Sequence, residues 1–283
     1  MKYPEQTQNL KFSLVMTTLG RDKDIINFIE SLLKQTYTNY ELIIIDQNND
    51  DRVVNIFNQY KDKNKIFYYH CDKKGISVGR NMGLKHVTGD IIAFPDDDCE
   101  YDSDTLNKIA SFFNSNPNYS FYSCNSKDKI NGNSIFRGLK KDCDIKLFNF
   151  LNTGISFTIF IKKEALADFS MDEKLGIGAI FGSGEESDLL LFLLKNKLKG
   201  KYFANNYIFH PSRKEISPNF NFNYSLGHGA MFRKGISVYK LYFLFFIFIY
   251  RLTPYLLKSV FMPGNKTARA VVKGRVKGFL EYK

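Results

Sequence analysis

One short stretch restricts the folds open to this chain more than any other: Ile91-Ile92-Ala93-Phe94-Pro95-Asp96-Asp97-Asp98-Cys99. The apolar run reads as a buried strand. Strands of a parallel sheet are covered on both faces and so lose the alternation of polar and apolar residues. The run then ends in three consecutive carboxylates. Adjacent like charges oppose one another's ionisation, which makes a bare cluster costly. A divalent cation such as Mg²⁺ or Mn²⁺ removes that cost, and carboxylate oxygens suit it. In open α/β sheets, ligands sit just beyond the carboxyl ends of the strands. The stretch therefore fits either a metal–diphosphate site or an acidic turn capping the next helix, and the rest of the chain has to separate the two.

Strand and helix patterns alternate before and after it. Strands are expected at Phe12–Thr18, at Leu42–Ile45 with Asp46 at its end, at Lys65–His70 and at Ile91–Phe94. Between them, Ile25, Ile29, Leu32 and Leu33 repeat at helical spacing, with Asp22 or Asp24 as the cap. Val53–Tyr60 and Ser77–His86 suggest two further helices, and another starts near Ser103. This order predicts an α/β fold with a mostly parallel central sheet and helices on both faces. Three strands deliver polar groups to one edge: Thr17 and Arg21, Asp46, and Asp96 to Asp98. That is the pattern of a nucleotide crevice.

Further on, Lys127–Asp144 reads as a variable connection, Ser156–Ile161 as a strand and Lys162–Phe169 as a helix. Gly176–Gly184 is glycine-rich and expected to be a mobile loop. It delivers Glu185-Glu186-Ser187-Asp188 to the start of an apolar helix, Leu189–Leu194. Acids in a first turn are stabilised by the helix dipole, by about 0.3–1 kcal/mol each, which is the favoured reading of Asp188. Glu186 is placed as a lid carboxylate, suited to act as general base toward a hydroxyl. No P-loop or dinucleotide fingerprint occurs. The four cysteines are scattered, which implies free thiols in a reducing cytosol and no zinc site. Met1–Asn9 is polar, so no secretory leader is expected.

The net charge of +11 is concentrated at one end. Residues 233–283 hold eleven Lys or Arg against the single acid Glu281, so +10 of the +11 lies there. The same segment contains the apolar run Leu241–Tyr250, stopped by Arg251 and Pro254. A spanning helix needs about 20 apolar residues. Mixed apolar and basic residues fit a helix lying in an anionic membrane interface; a core helix packed on the catalytic domain and a re-entrant or transmembrane pass are the alternatives. So dense an aliphatic–aromatic run is a poor platform for bases, which argues against nucleic acid. The expected division is a catalytic domain at 1–232 and a basic, apolar helical membrane-associating tail at 233–283.

The ordered set Thr17…Arg21, Asp46, Gly75…Arg80-Asn81-x-Gly83, Phe94-Pro95-Asp96-Asp97-Asp98 and Gly184-Glu185-Glu186-Ser187-Asp188-Leu189 resembles the family 2 glycosyltransferases, which have the GT-A fold. The resemblance covers Phe12 to Pro211 and assigns roles. Thr17 and Arg21 match the first nucleotide-binding loop, and Asp46 matches the contact to the base. Arg80 and Asn81 match the segment beside the diphosphate and donor sugar. Asp96-x-Asp98 matches the DxD element, with Asp96 and Asp97 on the nucleotide side and Asp96, Asp98 and His210 toward the metal. Glu186 falls where the family usually has an aspartate base, with Glu185 the fallback. The loop Asp46-Gln47-Asn48-Asn49-Asp50 departs from the common Asp-Asp-Gly-Ser run and is similar to bacterial cell-surface polysaccharide enzymes. The implied protein is an inverting, Mg²⁺- or Mn²⁺-dependent hexosyl- or deoxyhexosyltransferase. Its donor is a UDP- or dTDP-type sugar, and its acceptor a polyprenyl-diphosphate-linked saccharide. It works peripherally at the cytoplasmic side of the cell membrane. The competing readings are a nucleotidyltransferase or phosphohydrolase, and a non-catalytic binding module.

Overall fold

The computed structural model describes residues 8–63, 65–212 and 217–283. Eight strands form one sheet: β1 (Phe12–Thr18), β2 (Tyr40–Asp46), β3 (Ile66–His70), β4 (Ile91–Ala93), β5 (Phe121–Lys127), β6 (Cys143–Ile145), β7 (Ile159–Lys162) and β8 (Gly200–Phe209). Their order is β3-β2-β1-β4-β7-β5-β8-β6. Ladders β3-β2-β1-β4 and β5-β8 are parallel. β7 runs antiparallel to both β4 and β5, and β6 antiparallel to β8.

The apolar strands divide their side chains between two cores. Leu14, Met16, Leu42 and Ile44 enter one. Val15, Ile43, Ile45 and Ile92 enter the other. Successive side chains of a strand point to opposite faces, so a run with no polar alternation is buried on both. The first face carries α1 (Lys23–Leu33), α2 (Arg52–Tyr60) and α4 (Thr105–Ser115), and the second carries α3 (Ile76–Leu84) and α5 (Glu185–Lys195). Asp22 caps α1 by accepting from the Lys23 N–H at 2.5 Å.

Some expected elements differ. Ser156–Thr158 forms a single tight turn and only Ile159–Lys162 is strand. The expected helix at 162–169 is reduced to the turn Lys163–Leu166, which buries only Ala165 and Leu166. So small an apolar face cannot support a longer helix. β5 and β8 were not expected, and β6 lies at the end of the variable connection.

Three helices follow the sheet: α6 (Pro218–Ser237), α7 (Leu244–Phe261) and α8 (Lys266–Glu281). The expected division at 232 and 233 falls inside α6. Backbone meets backbone where α6 crosses α8: a Cβ at Gly278 would stand 1.9 Å from the Leu226 carbonyl oxygen, and one at Gly229 2.1 Å from that of Arg275. Asp188, in the first turn of α5, is tied to these helices. Its carboxylate lies 2.7 Å from Lys234 Nζ and accepts from the Tyr239 hydroxyl at 2.9 Å. Lys234 also pairs with Asp172 at 3.1 Å. The bond to α6 therefore supplements any dipole effect on Asp188. Removing one member of a buried ion pair leaves an uncompensated charge, at a cost of about 3–5 kcal/mol. Lys234→Met leaves Asp188 and Asp172 unopposed, so it should lower the unfolding free energy by about that amount. Chemical denaturation of the two proteins at neutral pH checks this, and an unchanged midpoint would show that the pair contributes little.

α7 points its apolar surface outward. Leu244, Phe248 and Leu252 are buried, whereas Phe246 is 74% exposed, Tyr250 79% and Phe261 77%. By length and composition, α7 is able to cross a membrane.

Candidate active site

The carboxyl ends of β1 and β4 open into a cleft of about 420 Å³. Thr17, Thr18, Arg21, Gln47, Gly75, Asp96, Asp97, Asp98, Gly178 and His210 are among the residues that line it. β4 supplies the acids because Phe94 is still buried in the core, whereas the three residues after Pro95 leave the sheet.

The three aspartates have separate surroundings. Asp97 accepts from the Thr18 hydroxyl at 2.7 Å and meets Arg21 Nε at 3.1 Å. Burial nevertheless raises its pKa to about 6. Asp98 lies 2.8 Å from Arg21 Nη2 and 3.0 Å from His210 Nε2. Burial opposes its ionisation, but His210 and Arg21 outweigh burial and hold its pKa below the ordinary carboxylate value. Burial raises Asp96, against the pull of Arg80 and His210. Ligand atoms of Asp96, Asp98 and His210 all lie within 4.8 Å of one another. Two carboxylates and an imidazole make a donor set that suits Mn²⁺ or Mg²⁺, so these residues fit a divalent cation. Asp96 and Asp98 turn toward the histidine, and Asp97 turns toward Thr18. His210 is set in place by stacking on Phe157, ring centroids 4.7 Å apart.

Arg80 connects this cluster to α5. Its side chain is 2% exposed, with one Nη 3.3 Å from Asp96 and the other 3.3 Å from Glu185. Next to Glu185 stands Glu186, also buried. Desolvation and then the neighbouring Glu185 charge raise the Glu186 pKa, with Arg80 opposing weakly. Gly184, at φ +96°, turns the chain into α5 in a conformation that side chains disfavour. The glycine-rich segment rests on the start of α3: the Ile76 N–H donates to the Ile177 carbonyl at 3.0 Å, and the Ser77 hydroxyl to the Leu175 carbonyl at 2.6 Å.

Four expected residues stand back from the cleft wall: Arg80 and Glu186, placed above, and Asp46 and Asn81. Asp46 is fully buried. One of its oxygens accepts from the Asn48 backbone and side chain, and the other from the Tyr68 hydroxyl. Its neighbour Gln47 reaches the cleft instead and donates to the Lys73 and Gly75 carbonyls at 2.6 and 3.1 Å. Asn81 turns to the chain entering the glycine-rich segment, exchanging hydrogen bonds with the Met171 backbone at 2.7 and 2.9 Å. Thr17 does line the cleft, and its hydroxyl is buried without a partner. Thr18 and Gln47 were not expected. The strand alternation placing Thr18 opposite Thr17 was available, but its partner Asp97 is 79 residues away.

Residues 13–175 match the family model for glycosyl transferase family 2. A Campylobacter jejuni protein, GalNAc(5)-diNAcBac-PP-undecaprenol beta-1,3-glucosyltransferase, is 28% identical over 195 residues, covering 66% of this chain and 60% of the relative. The chain spans between 13% and 60% of the length of the curated relatives it matches in Rickettsia and Campylobacter jejuni. Among solved structures, Staphylococcus aureus TarS 1–349 in complex with UDP-GlcNAc superposes with a TM-score of 0.63 at 19% identity, over 79% of this chain and 66% of that one. The mannosyltransferase PcManGT from Pyrobaculum calidifontis, in complex with GDP-Man and Mn²⁺, gives 0.62 at 14% identity, over 83% and 66%.

Proposed function

Because the chain belongs to glycosyl transferase family 2, we propose that it moves a sugar from a nucleoside-diphosphate sugar to a hydroxyl of a lipid-linked saccharide. The observation that carries this reading is the Asp96–Asp98–His210 group, joined through Arg80 to Glu185, with Glu186 next to Glu185 in the first turn of α5.

As the sugar leaves, negative charge develops on the bridging oxygen of the diphosphate. Asp96, Asp98 and His210 would hold a divalent cation, which supplies charge stabilisation there. Arg21 presents a guanidinium fork to Asp97 and Asp98, and that fork also suits phosphate oxygens. The unpartnered Thr17 hydroxyl and Gln47 lie on the side of the cleft assigned to the nucleoside. Asp46 shapes the loop that carries Gln47. Asn81 steadies the approach to the glycine-rich segment. Glu186 accepts the proton of the attacking hydroxyl. One base acting on the acceptor makes a single displacement, with inversion at the anomeric carbon.

The donor is of UDP or dTDP type, a reading supported by the UDP-GlcNAc held by TarS. A polyprenyl-diphosphate-linked acceptor is supported by the name of the Campylobacter relative and by the outward apolar face of α7. Residues 1–232 carry the chemistry. Residues 233–283, with their charge of +10, hold the enzyme peripherally on the anionic cytoplasmic membrane face.

A panel of UDP-glucose, UDP-GlcNAc, dTDP-rhamnose and GDP-mannose, incubated with Mn²⁺, tests the reading. Slow metal-dependent hydrolysis of one donor is expected. Hydrolysis of free nucleotides with no preference for a sugar would overturn it in favour of a phosphohydrolase.

A further inference from the structure

Arg251 and Arg275 of the C-terminal helices pair with no acid among the described residues. Arg251 on α7 and Arg275 on α8 are both half-buried. The charged group acting on them, apart from burial and nearby tyrosines, is Arg251 itself, against Arg275. Their hydrogen-bond partners are neutral. Arg275 Nη1 donates to the Arg251 carbonyl at 2.6 Å, and Arg251 Nη2 donates to Asn152 Oδ1. The Arg275 guanidinium lies 4.9 Å from the centroid of the Tyr255 ring. Its Nε is buried and has no partner. On α6, burial followed by the charges of both arginines holds the His228 pKa down to about 3. Arg80, the buried arginine of the cleft, is by contrast held between two carboxylates.

Half-buried cations close together, without a counter-charge, are costly unless an anion joins them. Guanidinium groups favour phosphate oxygens, which accept paired N–H donors. The position of the cluster says more about the ligand. On one side, Arg251 grips Asn152, whose backbone carbonyl and side chain are bonded to Leu139 and Arg137. Arg137 and Leu139 belong to the variable connection that follows β5. On the other side, Phe246, Tyr250 and Leu257 lead away along the exposed apolar face of α7. A molecule with a long apolar chain and a phosphate group matches both sides.

We propose that Arg251 and Arg275, with His228 beside them, bind the phosphate of a membrane amphiphile, its chain lying along α7. The proposal rests on the lipid-linked acceptor read above: a diphosphate held here would present its saccharide toward the 137–152 segment.

Co-sedimentation of the full chain with phosphatidylcholine vesicles tests it, at physiological salt. One vesicle set carries a polyprenyl diphosphate, another phosphatidylglycerol at equal mole fraction, and a third neither. Wild type should bind a phosphate-bearing set more tightly than the plain set. Stronger binding to polyprenyl diphosphate identifies the acceptor as the ligand, and stronger binding to phosphatidylglycerol identifies a lipid headgroup. Arg251→Gln and Arg275→Gln should each weaken that binding at least about tenfold, with partition onto plain vesicles unchanged. Lys258→Gln and Lys266→Gln remove equal charge elsewhere on the tail and should change it little. Equal losses in all four variants, or no loss in Arg251→Gln, overturns the site. Because Arg275 also ties α8 to α7, Arg251→Gln is read independently, with the melting temperature of each variant as the check on folding. Donor hydrolysis should persist in the arginine variants. Loss of hydrolysis in wild type would count against the glycosyltransferase reading alone.

Discussion

Asp98→Asn should reduce Mn²⁺-dependent sugar transfer by about a thousandfold or more, since a metal ion supplies several kcal/mol of charge stabilisation and each 1.4 kcal/mol is tenfold. Asp98 is the natural point of attack. It is the aspartate shared by His210 and Arg21, at 3.0 and 2.8 Å, and its ionised form is favoured despite burial. The amide fills the same volume but supplies no negative charge, so His210 and Arg21 each lose their nearest counter-ion, with Asp96 and Asp97 left to them, while the fold is kept. Two readouts follow. The concentration of Mn²⁺ giving half-maximal turnover should rise steeply, and nucleotide-sugar binding in the presence of chelator should be largely unchanged. Asp97→Asn serves as the comparison: its carboxylate faces Thr18 and Arg21 and lies outside the metal-competent group. It should cost far less. If Asp97→Asn proved as damaging as Asp98→Asn, with the same loss of metal response, the register of the acidic run would have to be redrawn.

The parts of the fold read from sequence were those where burial writes itself into composition. β1, β2 and β4 are covered on both faces, so an unbroken apolar run was enough to find them. β5 gave no such signal. Its sequence Phe-Tyr-Ser-Cys-Asn-Ser-Lys buries Ser123 and Ser126, and a register shift follows Cys124. The buried Ser123 hydroxyl looks like surface from sequence, because its partner is elsewhere: it meets Thr158, 35 residues on. The acids of the cleft were legible as a cluster, but their allocation was not. Asp97 belongs with Thr18 and Arg21, Asp98 with His210, and Asp188 with Lys234, partners 46 or more residues distant. Arg80 is the clearest case. A charged side chain on a helix reads as solvated, yet it is 2% exposed because Asp96 and Glu185 approach it from two different elements.

Glu186→Gln should cut sugar transfer by about a hundred- to ten-thousandfold, the range for removal of a general base, while donor affinity is retained. The pH dependence separates this from a structural loss. Desolvation, with the Glu185 charge beside it, raises the Glu186 pKa. A protonated carboxyl cannot accept a proton from the acceptor hydroxyl. The rate of wild type should therefore climb as pH rises through that raised pKa, on a limb displaced upward from the ordinary carboxylate range, and Glu186→Gln should lack the limb. Glu185→Gln distinguishes the neighbours. Glu185 is bound to Arg80 at 3.3 Å, so its charge opposes that of Glu186 while its own is compensated. Removing it relieves the repulsion, and the limb should move toward lower pH with much of the rate preserved. Arg80 keeps its second partner, Asp96, in that variant. If Glu185→Gln instead abolished the limb, and Glu186→Gln merely shifted it, the base would be Glu185 and Arg80 would have to release it before each transfer.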